Sequence, residues 1–199
     1  MFFMGEDSGF NNNTNLEYID FAKLTALHTI GGKSQNIQDG SSTNDKIFSY
    51  CPNLEISELP DSLEIIGYRS FAFDTKLNIT KIPKNTLVIN TRAFEGCTGI
   101  HAVDFSPVIT PIERIRLIIQ AHNNDAAIQT DVANMWPCIG EAAFMECSNL
   151  TFGGDNPRLA LYGFQSILSK AFMKCSSLVW DLDPGQSSHT VVNIGDSAF

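Results

Sequence analysis

The sequence predicts an α/β repeat solenoid, a stack of short turns with a parallel β-sheet along one side and turns and short helices along the other. Three observations predict it. A small residue followed by Phe recurs at Ser70-Phe71, Ala93-Phe94, Ala143-Phe144, Ala171-Phe172 and Ala198-Phe199, within a shared frame. Phe48, Phe71 and Phe94 stand 23 residues apart, and Phe10, Phe144, Phe172 and Phe199 extend the series with longer gaps. Near the end of a unit apolar residues alternate, as in Leu16-x-x-Ile19-x-Phe21 and Ile100-x-x-Val103-x-Phe105, the pattern of a short strand.

Each position of the frame has a physical reading. Five residues before Phe stands an aliphatic: Ile66, Ile89, Ile139, Ile167 and Ile194. The next position is often Gly (Gly67, Gly140, Gly195), which suits a tight turn with positive φ. Three residues after Phe comes Cys (Cys51, Cys97, Cys147, Cys175), with Asn13 in that place in the first unit. Six after it comes Leu54, Leu77, Ile100, Leu150 or Leu178. One unit is too short to bury its own apolar face, so neighbours must stack, each residue type forming a column along the axis. Phe and Cys are expected inside, on the wall opposite the strand. Pro60 and Pro83 follow the strand, where the missing N–H ends pairing.

Composition narrows the function classes. The 199 residues carry a formal net charge of −9, which disfavours nucleic acid or an anionic membrane as the main partner. No apolar run approaches the roughly 20 residues of a membrane span. The start, Met1 to Asp7, lacks a basic region and turns acidic at once, unlike a secretory leader. Five Cys with no CxxC pair suggest neither a disulfide framework nor a zinc site.

The unit Ile-Gly-x-x-Ala-Phe-x-x-Cys-x-x-Leu resembles the BspA-type (Treponema-type) leucine-rich repeats, over nearly the whole chain and most clearly at 48–105, 139–152 and 167–199. The resemblance implies a right-handed superhelix with the parallel sheet on its concave face. It also implies binding roles, among them adhesion when members sit on cell surfaces. It fixes fold better than partner.

The expected organisation is one domain, 1–199, of about seven irregular repeats, incomplete at both ends because the chain starts and stops within a repeat. As it stands the chain reads as cytoplasmic; as a piece of a longer protein it fits the cell surface. Residues 31–46, rich in Gly, Ser and Asn, read as a loop insertion. Residues 106–138 depart most. Thr110-Pro111-Ile112-Glu113 starts a helix, and Ile112, Ile115, Ile118 and Ile119 follow helical spacing. The rival reading is a degenerate repeat, since Pro111 precedes His122 as Pro60 precedes Phe71.

For chemistry, the Cys column reads as packing, and Cys138, off the column, as the most reactive thiol. Cys147 and Cys175, if in adjacent turns, approach disulfide distance. The histidines share no motif, so no catalytic residue, cofactor or metal ligand is expected, and the chain reads as a non-catalytic binding scaffold. Alternation on the supposed strands points Glu17, Tyr18, Asp20, Glu55, Glu58, Asn78, Lys81, His101 and Asp104 outward. Partner contacts are therefore expected from Tyr18, Glu58, Asn78, Lys81 and His101, with Arg114 and Arg116 of the inserted segment, to a protein or a glycan. The alternative is a structural segment with no site of its own. Asn12, Asn78 and Asn149 begin glycosylation sequons, which matter only in a secreted chain.

Overall fold

The aliphatic that precedes Gly in each unit turns out to build the principal sheet. The computed structural model describes residues 2–4, 9–31, 46–105, 138–155, 157, 160–180, 191 and 193–199. Its strands are β1 (Phe2–Met4), β2 (Leu27–Ile30), β3 (Ile65–Ile66), β4 (Val88–Ile89), β5 (Ala102–Val103), β6 (Cys138–Ile139), β7 (Thr151–Phe152), β8 (Ser166–Ile167) and β9 (Asn193–Ile194). Seven form a parallel sheet in the order β1-β2-β3-β4-β6-β8-β9, and β5 pairs with β7 in a second, two-stranded one.

This corrects the expected strand. The alternating segment does pair between turns, but only as β5–β7 and the isolated bridges Tyr18–Glu55 and Lys81–Asp104. Its register is irregular: three residues separate Ile100 from Val103, whereas two separate Leu150 from its partner Phe152. At the other wall the register is uniform, Ile30, Ile66, Ile89, Ile139, Ile167 and Ile194 being cross-strand partners in turn. Alternation along the strands sends Ile30, Ile66, Ile89, Ile139 and Ile167 into the core, fully buried. The paired row beside them, Ile65, Val88 and Cys138, belongs with Leu87 to a separate apolar cluster on the sheet's other face.

The Phe column is as expected. Phe10, Phe48, Phe71, Phe94, Phe144, Phe172 and Phe199 stack in order, with centroids 5.1–5.4 Å apart and planes within 17°. That spacing follows the separation of successive backbone turns, so the rings are offset rather than face to face. Around Phe105, the rings of Phe144, Phe152, Phe164 and Phe172 meet edge-on. The turns are laced by backbone bonds as well: the Phe71, Phe94, Phe144 and Phe172 amides donate to the carbonyls of Ala93, Ala143, Ala171 and Ala198 on the next turn.

Gly67, Gly140 and Gly195 do not have positive φ. Each is needed because the neighbouring turn's backbone lies against it: an added Cβ would come within 2.7 Å of Ile30 O at Gly67, 2.6 Å of Asn90 C at Gly140, and 2.4 Å of Ser169 N at Gly195. Left-handed backbone falls instead two residues before Phe (Arg69, Arg92, Ala142, Lys170, Ser197) and two after it (Asn12, Tyr50, Phe73, Gly96, Glu146, Lys174).

Because β4 pairs directly with β6 and Phe94 stacks on Phe144, no turn intervenes between them. Residues 106–137, which join Phe105 to Cys138 in sequence, lie outside the described residues, and with them both the inserted helix and the degenerate repeat. Nearly all of the 31–46 loop lies outside them as well. No helix among the described residues is long and apolar enough to cross a membrane.

Candidate interaction face

Tyr18, Glu58, Asn78, Lys81 and His101 do not project from the seven-stranded sheet, because the strands they were assigned to are not part of it. They lie on the second wall, on successive turns, along the smaller ladder. Glu55 N donates to Glu17 O, Asn78 N to Ile56 O, Asp104 N to Thr80 O and Thr151 N to His101 O, fixing the wall's backbone rung by rung. Ile56, Ile79 and Val103 anchor it from inside, fully or almost fully buried. Outward, Tyr18 is 67% exposed, and Glu17, Glu55, Ser57, Glu58, Asn78, Thr80 and His101 are exposed with it. Lys81 is half-buried, beside Asp104. Tyr18 and Glu58 share a shallow depression with Asp20 and Ser57. Arg114 and Arg116 lie outside the described residues. These five residues share one wall because the segment is extended and alternates, although the main sheet lies elsewhere.

The Cys column runs through the interior, and its chemistry is that of packing with one hydrogen bond per turn. The thiols of Cys51, Cys97, Cys147 and Cys175 each donate to the carbonyl of Phe10, Phe71, Phe94 and Phe144 on the preceding turn, at 2.9–3.0 Å. Backbone groups of that turn, at Asn13, Asp74, Cys97 and Cys147 respectively, act to lower the thiol pKa against the larger effect of burial. Thiol is small, apolar and able to donate that one bond, which explains the residue type. All five cysteines are free and buried. Burial pushes Cys51 up to about 11, Cys138 and Cys175 up to about 12, and Cys97 and Cys147 well above the ordinary thiol range. Cys138 is thus not the reactive thiol expected: it is 3% exposed, and among the described residues no neighbour favours its thiolate.

One member of the column was missed. Three residues after Phe71 stands Asp74, wholly buried between Cys51 and Cys97. Its Oδ1 accepts the Cys51 N–H at 2.7 Å, while Oδ2 is buried with no partner. Among the described residues no donor reaches Phe48 O, the carbonyl that a thiol at this place would satisfy. Burial raises the Asp74 carboxyl to about 9, which favours its protonated form at neutral pH and so a group able to donate as a thiol does. The signal was available in the sequence as the one non-Cys within the regular run.

A family model described as a BspA type leucine-rich repeat region matches in six copies, over residues 6–116 and 41–152, together well over half of the chain. The chain belongs to the BspA-type leucine-rich repeat family. A solved leucine-rich repeat protein from Bacteroides ovatus is similar over 100% of this chain, with 17% identity and a TM-score of 0.50, which shows the shared fold alone. This chain covers 45% of that one, less than half its length. No curated protein matches the chain.

Proposed function

We propose that this BspA-type repeat chain is a non-catalytic scaffold that binds a protein through the wall bearing Tyr18, Glu58, Asn78, Lys81 and His101, in an adhesion or interaction role at a cell surface. The observation that carries the reading is the exposure of Tyr18 at the head of a polar row held by a hydrogen-bonded ladder. Tyr gives a binding partner a large rigid contact at low entropic cost, and mixed charges around it set orientation. A stack of turns makes such a row rigid, so a partner meets a prepared surface. Arg114 and Arg116, of the segment that follows Phe105 in sequence, are further contacts in this reading.

The test couples capture with substitution. A protein captured by the wild-type chain is rechallenged with the variant Glu58→Ala/Lys81→Ala/His101→Ala and with Tyr18→Ala. Loss of about tenfold in affinity for either variant, with unchanged thermal unfolding, is expected for central contacts. Unchanged affinity in both variants would remove this wall as the site.

A further inference from the structure

A second surface lies at the wall's far corner, two residues beyond the Phe column. Asn12, Tyr50, Phe73, Gly96, Glu146 and Lys174 all occupy left-handed backbone there, with φ between 60° and 71°. Gly and Asn take such φ readily, and a bulky aromatic does not. Two adjacent turns nevertheless place aromatics at this position. Strained residues of that kind gather where a surface is used.

The pair is built rather than incidental. Tyr50 and Phe73 stack with centroids 4.9 Å apart and planes 18° off parallel. Phe73 in turn lies over Gly96, where an added Cβ would come within 2.5 Å of the Phe73 ring, so the next turn is kept bare to seat it. On the other side of Tyr50 stands the small Asn12, and among the described residues nothing fills the space beside the ring. The result is an open surface depression of about 280 Å³ lined by Asn12, Thr14, Tyr50, Pro52 and Phe73. Tyr50 is 43% exposed beside it.

The lining states the ligand chemistry. It holds no ionisable side chain of either sign apart from the phenol. The Asn12 amide and the Thr14 and Tyr50 hydroxyls have no hydrogen-bond partner among the described residues. An aromatic face flanked by neutral donors and acceptors fits a pyranose ring, whose C–H face packs on the ring while its hydroxyls bond to the amide and hydroxyl groups. A charged ligand finds no counter-charge here, and a purely apolar one leaves three polar groups unmet. The volume lies at the lower end for ligand pockets, so the site takes one sugar unit of a longer chain, at about millimolar affinity.

We propose that the Tyr50–Phe73 step with Asn12 and Thr14 is a binding site for neutral saccharides. Its lining shares no residue with the depression at Tyr18, so either reading stands if the other fails. The test is an NMR titration of the intact chain with maltohexaose, cellohexaose and a linear mannan oligosaccharide, with a sialylated oligosaccharide and a proline hexapeptide as contrasts. Expected is saturable binding of at least one neutral saccharide with shifts at Asn12, Thr14 and Tyr50, weakened about tenfold in Tyr50→Ala. Val179→Ala, at an exposed position outside this lining, should bind as wild type. Because Tyr50 is half exposed, Tyr50→Ser serves as a second variant if Tyr50→Ala unfolds early. No binding of any neutral saccharide, preference for the sialylated sugar or the peptide, or equal binding by both Tyr50 variants would overturn the proposal.

Discussion

Asp74 shows how one side chain can adapt a repeat. A carboxylate in the Cys column would be a buried charge with no counter-ion; a carboxylic acid is a donor and an acceptor of the right size. Glu95, equally buried on the outer edge, is handled differently: Arg92 Nη1 donates to its Oε1 at 2.9 Å and Arg69 Nη2 stands 3.5 Å from Oε2. The Asp74 solution has a pH signature. Its folded value is raised to about 9, against about 4 in an unfolded chain. Below about pH 4 both states hold the proton and the contribution is fully present; between there and about pH 9 only the folded state holds it, so stability is lost as pH rises. Asp74→Asn keeps one acceptor for Cys51 N–H and adds an amide donor for Phe48 O without titrating. Thermal melts should show the wild type falling more steeply than Asp74→Asn between pH 5 and 8.5, with the variant more stable by about 1–3 kcal/mol at the upper end. Parallel curves would show that Asp74 is not the titrating group.

At the scale of the element, the Gly after Ile66, Ile139 and Ile194 sets how closely turns approach. Gly140 lies against Asn90 and Thr91, both in backbone contact range of any Cβ placed there. Backbone yields less readily than a flexible side chain. Gly140→Ala should therefore cost about 1–3 kcal/mol by denaturant unfolding, although alanine adds only one methyl group. In an ordinary extended position with room the same change is neutral or stabilising. A gain in stability would mean that β4 and β6 approach less closely than described.

For the whole molecule, the stack is continuous across its largest insertion. Val88 pairs with Cys138 and Ile89 with Ile139, while Ala102 pairs with Thr151 on the other wall. In the preceding turn residues 83–87 make the same connection, from Ile82 to Val88, that 106–137 make from Phe105 to Cys138. Replacing 106–137 with the sequence of 83–87 should give a chain that still unfolds in one cooperative transition, followed by circular dichroism. If the segment instead completes the core, the shortened chain will lose that transition. Lateral contacts between turns carry the fold, so insertions at the corners are tolerated where the rungs on either side still meet.

Columns were legible in the sequence because stacking forces the same side chain into the same place on each turn: Phe, Cys and Ile could be aligned before any contact was known. The polar row from Tyr18 to His101 was legible too, as an extended alternating run. Which extended run became the principal sheet was not, because both are short and apolar, and hydrogen bonds between turns, not the pattern within one, choose between them. The same limit hid the close backbone approach at Gly67, Gly140 and Gly195, which looks like turn chemistry in one dimension. It hid the Tyr50–Phe73 stack, whose partners are 23 residues apart. By itself the sequence determined the period and what each column is made of. Only the tertiary structure decided which columns touch, since contact between turns depends on the distance from one backbone to the next.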